Sequence, residues 1–166
     1  MSGTCHWRSL PRRSRLTPSA SCASRSTPST GHKTLEYLTS IWALREAARA
    51  GADDAILLDA AGRVIEAATA SVFVVSGDEL LTPPEDLALP GVTAHFVTEA
   101  ARAEGLRVSR RAITLADLWT ADEVFLTSSV REVTPVHRVD EHEVPAAPGD
   151  LTRRLARAYE AFIRRR

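Results

Sequence analysis

Among 21 basic residues the chain has a single lysine, Lys33. Where it needs charge alone it uses arginine. A retained lysine therefore points to a task outside arginine's reach: an amine can bond covalently to a carbonyl carbon, and a guanidinium cannot. Cysteine is nearly absent as well. Cys5 and Cys22 both fall within the first 31 residues, so the remainder has neither a disulfide nor a cysteine-based metal site, which fits a reducing cytoplasm. Aromatic residues make up 5% of the chain. No apolar run approaches the about 20 residues that a membrane-spanning helix needs. His32, His95, His137 and His142 show no metal-ligand spacing. There is no Walker-type glycine loop, no G-x-S-x-G and no zinc pattern, so no metal is expected.

The formal charge of zero hides an asymmetry. Residues 1–31 hold five arginines and no acid, so they carry +5 and the rest carries −5. The mildly acidic remainder offers no basic field for nucleic acid and no membrane anchor. At 166 residues the chain suits one domain with a tail. Residues 1–31 are rich in Ser, Arg, Pro and Thr, without apolar periodicity, and little stable structure is expected there. Three origins fit this segment: an out-of-frame translation of GC-rich coding sequence, which the abrupt change at His32 favours, a targeting peptide, or a disordered tail. Residues 32–166 form the domain.

Within that domain Thr34 to Ala50 reads as a helix, with Leu38, Ile41 and Trp42 at helical spacing and Gly51 past its end. Ala55–Asp59 and Arg63–Glu66 read as strands about a turn, and Ser71–Val75 and Glu79–Thr82 as a hairpin. A helix over Thr93–Glu104, a strand at Leu106–Ser109, a short helix capped by Thr114 and a strand at Glu123–Leu126 follow. Val133–Val139 reads as a strand whose Pro135 suits an edge or a bulge. A helix over Asp150–Arg164 closes the chain. Hairpins and helices mix without βαβ alternation, so the expected class is α+β: a barrel-like mixed sheet with flanking helices.

The stretch Val64 to Phe73 organises the candidate chemistry. Glu66 lies between two apolar runs and is followed by small residues that leave room for a flat molecule. Buried there, its carboxylate needs a partner. Gly91-Val92-Thr93 opens a helix whose free N–H groups suit a phosphate, and Thr127-Ser128-Ser129 ends a strand with three hydroxyls. Each feature alone is also compatible with an ordinary lysine, strand-end acid, capped helix or polar loop.

Together and in order, these motifs resemble the class IV aminotransferases, the fold type IV pyridoxal-phosphate enzymes. The family pattern is carried by Glu66, Ala68, Ser71-Val72-Phe73, Leu80-Leu81-Thr82, Leu89-Pro90-Gly91-Val92-Thr93-Ala94, Ala121 to Ser129 and Glu132 to Val136. The resemblance covers residues 32–164 and matches the larger, C-terminal, cofactor-binding domain. It implies pyridoxal 5'-phosphate as cofactor, with Lys33 as the Schiff-base lysine and proton carrier and Glu66 facing the pyridine nitrogen. Val92 and Thr93 would bind phosphate through backbone N–H and hydroxyl, with Ser129 adding a second hydroxyl. It further implies amino transfer between an amino acid and a 2-oxo acid, a cytoplasmic homodimer, and as alternatives an aminodeoxychorismate lyase or a non-catalytic fragment. The chain departs from the family in three places. The family's asparagine is Ser71, its basic residue after the phosphate turn is Ala94, and its N-terminal domain, which supplies an arginine for the phosphate, is replaced by residues 1–31. The placing of Tyr37 after Lys33 is closer to D-amino-acid transaminases and the lyases than to branched-chain transaminases. Trp42, Leu87-Ala88-Leu89 and Phe96 are candidates for surface that a missing domain would cover.

Overall fold

A computed structural model describes residues 14–24, by their backbone, and residues 37–164. The strands are β1 (Ser14–Ser24), β2 (Asp54–Asp59), β3 (Val64–Ala67), β4 (Ser71–Ser76), β5 (Glu79–Thr82), β6 (Arg107–Arg110), β7 (Glu123–Ser128), β8 (Glu132–Val139) and β9 (His142–Glu143). The helices are α1 (Leu38–Arg49), α2 (Val92–Ala103), α3 (Leu115–Trp119) and α4 (Asp150–Ile163). All the strands join one mixed sheet in the order β3-β2-β1-β8-β7-β4-β5-β6, with β9 on β8. The sheet curls until its ends approach. Val64 N–H donates to the Ile113 carbonyl at 2.7 Å, and Arg63 pairs with Thr114, so β3 at one end meets the chain leaving β6 at the other. This is the barrel-like α+β architecture that the mixture of hairpins and helices implies.

Strands β2, β4 and β7 read as continuous apolar runs because they are buried on both faces. Alternate side chains of β4 serve two cores. Val72 and Val74 join Ile56, Val64, Leu81, Ile113, Leu126 and Val136 in the space enclosed by the curl. Phe73 and Val75 face outward and pack with Phe125, Val97 and Leu155 beneath α2 and α4. Phe73 and Phe125 stack with ring centres 5.1 Å apart. Such a pair is worth roughly 0.5–1.5 kcal/mol beyond the area it buries.

α4 is held by a buried side chain of the sheet. Its N-cap, Gly149, has no side chain to cap with. Instead Glu123 of β7 accepts from Leu151 N–H at 3.1 Å, from Thr152 N–H at 2.8 Å and from the Thr152 hydroxyl at 2.6 Å. A carboxylate suits the positive end of a helix dipole.

One sequence expectation differs from the structure, and two are made more specific by it. Residues 1–31 were expected to hold little stable structure, yet Ser14–Ser24 lies within the sheet, parallel to both β2 and β8. A strand between two others is held by backbone hydrogen bonds, which composition and apolar periodicity do not report. Of the two settings expected for Pro135, an edge or a bulge, the structure favours the second: β8 lies between β1 and β7, and its pairing with β1 slips between Val136 and Arg138. Its ladder with β1 begins at Val136, one residue past Pro135, and shifts register there, so the missing N–H falls where that pairing starts. On α1 the bulky residues face outward. Ala43 and Ala47 are buried, whereas Leu38 is 73% exposed and Ile41 and Trp42 are about half exposed. Two alanines one turn apart let the helix backbone approach the sheet closely, which larger side chains would prevent.

Candidate functional site

Glu66 stands on β3 opposite Leu57 of β2. The chain then turns tightly, with Ala67 N–H donating to the Ala70 carbonyl at 2.8 Å, and enters β4 at Ser71. This is why small residues follow Glu66: Ala67, Ala68 and Ala70 are all buried in that turn. Glu66 itself is half-buried. Burial pushes its carboxyl above the ordinary glutamate range, and the N–H of Leu89 partly offsets this. No charged group among the described residues contributes to that balance. The site therefore presents a carboxylate ready for a cation.

The Leu89 contact also joins the two halves of the site, because Leu89-Pro90-Gly91 leads directly into α2. Gly91 is the N-cap, and no side chain caps the helix. The Val92 side chain is 80% exposed, so what Val92 offers is its backbone N–H. Thr93 is buried, and its hydroxyl lies 3.2 Å from the Tyr159 hydroxyl of α4. The sequence reading gave Val92 and Thr93 to phosphate through backbone N–H and hydroxyl. In the structure the Thr93 hydroxyl lies against Tyr159 where α2 meets α4. Ser71, where the family has asparagine, packs beneath this turn: a Cβ on Gly91 would meet Ser71 Oγ at 3.0 Å.

Ser71 also leads to the third predicted feature. It pairs across the sheet with Thr127, and both lie on the face occupied by α2, as do Phe73 and Phe125. Thr127 Oγ1 is buried without a hydrogen-bond partner. Two residues on, Ser129 is exposed in the β7–β8 turn. Glu66, the opening of α2 and the hydroxyl-bearing end of β7 are thus linked by named contacts. Lys33 lies outside the described residues. Beside the helix opening is a cleft of about 400 Å³, lined by Ser71, Leu89, Gly91, Val92, Glu85 and Arg110 among others. Glu85 and Arg110 pair at 3.1 Å.

The sequence reading missed Arg131. Its guanidinium forms an ion pair with Asp54 and donates to Thr69 Oγ1 at 2.8 Å. Its main-chain N–H donates to Ser128 Oγ at 3.0 Å. The available signal was Asp54, an acid at the start of a buried strand that requires a partner. Of the surface candidates, Trp42 is half exposed, whereas Ala88 is buried and Phe96 packs on Tyr159 and Phe162.

The donor set fits pyridoxal 5'-phosphate. An under-compensated carboxylate suits a protonated ring nitrogen. An uncapped helix end and an exposed hydroxyl two residues beyond Thr127 suit a phosphate. Among the described residues no three His, Cys, Asp or Glu side chains gather as a metal site, and no helix is long and apolar enough to cross a membrane.

Comparison with known proteins gives concordant results. The sequence model of the amino-transferase class IV family matches residues 6–139. A putative branched-chain-amino-acid aminotransferase of Methanocaldococcus jannaschii is 37% identical over 130 residues, which are 77% of this chain and 45% of that protein. The branched-chain-amino-acid aminotransferase of Pseudomonas aeruginosa is 34% identical over 124 residues, 74% of this chain and 40% of that protein. The branched-chain amino acid aminotransferase of Thermoproteus uzoniensis with norvaline superposes with a TM-score of 0.84 at 31% identity, covering 91% of this chain and 51% of that one. The PLP form of the Thermobaculum terrenum enzyme gives 0.84 at 31% identity, covering 91% of this chain and 51% of that one. The chain spans less than half the length of these two curated relatives. Their names belong to a different branch from the one that the Lys33-to-Tyr37 spacing resembles.

Proposed function

Because this chain belongs to the amino-transferase class IV family, we propose that it binds pyridoxal 5'-phosphate and serves amino transfer between an amino acid and a 2-oxo acid. The observation that carries the reading is Glu66. It is half-buried, its carboxyl is raised by burial, and among the described residues an N–H rather than a cation faces it. When bound, the cofactor supplies an electron sink for charge developing at the substrate's α-carbon. The chain's part is to place and protonate. Glu66 holds a proton on the ring nitrogen through charge pairing. The N–H groups of Val92 and Thr93, at the positive end of α2, orient the phosphate, and the Ser129 hydroxyl closes on it from the β7–β8 turn. Lys33 would hold the cofactor at its carbonyl carbon with loss of water, and once the substrate's amine has displaced it the freed Nζ would take and return the α-proton.

The names of the relatives favour branched-chain substrates and transamination over lyase chemistry. A homodimer in the cytoplasm, without nucleic-acid or membrane partners, completes the reading. Titration with pyridoxal phosphate, followed by absorbance, tests it. The reading expects saturable binding at one site, weakened by Glu66→Ala. Equal binding by the parent and by Glu66→Ala would refute it. A second reading, a folded chain without catalytic activity, draws on the outward apolar face of α1. It expects self-association without saturable cofactor binding.

A further inference from the structure

We propose that Arg131 is a positioning residue that sets the Ser129 turn against the Glu66 end of the site. The inference rests on the reading that Ser129 meets the cofactor's phosphate.

Arg131 follows Ser129 by two residues and fastens their turn from both sides. Its N–H donates to Ser128 Oγ at 3.0 Å, and its carbonyl accepts from the Thr134 hydroxyl at 2.9 Å. The side chain then leaves the hairpin. One nitrogen, Nη2, donates to Thr69 Oγ1 at 2.8 Å and pairs with Asp54. Thr69 lies in the tight turn between Glu66 and Ser71, so this bond ties the Ser129 turn to the segment carrying the ring-nitrogen partner. Asp54 opens β2, whose Leu57 faces Glu66 across the ladder. Asp54 is 1% exposed, and its other carboxylate oxygen, Oδ1, accepts the N–H of Ala55 at 2.8 Å. A buried, oriented carboxylate gives the guanidinium a fixed anchor.

The turn needs such an anchor. Glu132 adopts φ 55°, and Val130 beside Ser129 is 91% exposed. Left-handed backbone at a non-glycine residue is strained. It persists where neighbouring contacts over-determine it. The described residues give this turn no packing at its tip, so the Arg131 side chain supplies the long-range restraint. Thr69 is thereby joined to Arg131, and through it to the Ser129 turn, across 62 residues of sequence.

The test is a double-mutant cycle read by the dissociation constant of pyridoxal phosphate and, separately, by inorganic phosphate competition. Thr69→Val removes one end of the tie while leaving the Asp54–Arg131 pair. The expected result is binding weakened about 3- to 10-fold, within the range for residues of one network. Thr69→Ser restores parental affinity. In a Ser129→Ala background Thr69→Val has no further effect, because the group it positions is gone. The melting temperature of Thr69→Val stays near the parent's. Arg131→Lys, which keeps a cation on Asp54, serves as the second variant and weakens binding by a similar factor. Equal weakening by Thr69→Val in both backgrounds, or parental affinity in both Thr69→Val and Arg131→Lys, overturns the proposal. If the parent chain binds no pyridoxal phosphate, the functional reading falls and takes the proposal with it; if the parent binds normally and the cycle is additive, the proposal alone falls.

Discussion

Removing the carboxylate of Glu123 should cost this fold a large part of its stability. Glu123→Ala leaves the N–H groups of Leu151 and Thr152 and the Thr152 hydroxyl without an acceptor, at a helix end where Leu151, Thr152 and Glu123 are all buried. An unsatisfied buried donor costs about 1–3 kcal/mol. Loss of a negative charge at a helix N-terminus adds about 0.3–1 kcal/mol. Allowing for relaxation that admits water, the expected loss is about 3–5 kcal/mol, against a total of about 5–15 kcal/mol for a domain. Glu123→Gln keeps one carbonyl acceptor and should lose about half as much. The assay is urea denaturation with the slope held to the parent's value. Gly149→Ala provides an internal control. Its Cβ would lie 1.9 Å from Glu123 Cδ, so the methyl group and the carboxylate cannot coexist. At φ −75° alanine meets no backbone strain. Gly149→Ala should therefore be severe alone and nearly silent in a Glu123→Ala background. A loss below about 1 kcal/mol for Glu123→Ala, or additive effects in the pair, would refute the claim that this carboxylate holds α4.

Other expectations concern the site itself. Burial raises the Glu66 carboxyl above its ordinary 4.5, so the folded, cofactor-free chain holds this proton more tightly than the unfolded chain does. The stabilisation that protonation gives is fully present below the unfolded pKa and is lost as pH rises through the folded one. Glu66→Gln should accordingly stabilise the free protein above that window and not at pH 4, as read by melting temperature against pH; a benefit independent of pH would contradict it. Gly91→Ala places a methyl 3.0 Å from Ser71 Oγ. It should weaken pyridoxal-phosphate binding, with affinity restored by Ser71→Ala; unchanged affinity would remove Ser71 from beneath the phosphate turn. Thr127→Val deletes a buried hydroxyl that has no partner. It should leave the free chain as stable or up to about 1 kcal/mol more stable in urea denaturation, and a loss of that size would mean the hydroxyl is bonded.

How much of this was legible in the sequence depends on distance along the chain. Local features came through. The capping box at Thr114 and Asp117, the hairpin of β4 and β5 and the glycine at Gly51 are written in neighbouring residues. Glu66, Val92 and Ser129 were singled out because the family pattern places each in a short motif, and their roles belong to the proposal. Arg131 to Asp54 spans 77 residues and Glu123 to Leu151 spans 28, and neither pairing leaves a periodic trace. The outward face of α1 was obscured for a related reason. Its helical period is plain, but which stripe packs depends on how closely the sheet lets the helix approach. β1 was missed because a strand between two neighbours is secured by its backbone.

The central claim is that this chain holds pyridoxal phosphate through its one lysine. The measurement is borohydride reduction of the chain with a small excess of the cofactor, followed by peptide mapping of the added mass. Because Lys33 is unique, the competing amine is the N-terminus. The account predicts the added mass on Lys33, with much less of it in Glu66→Ala. Added mass at the N-terminus alone, or none, would contradict it.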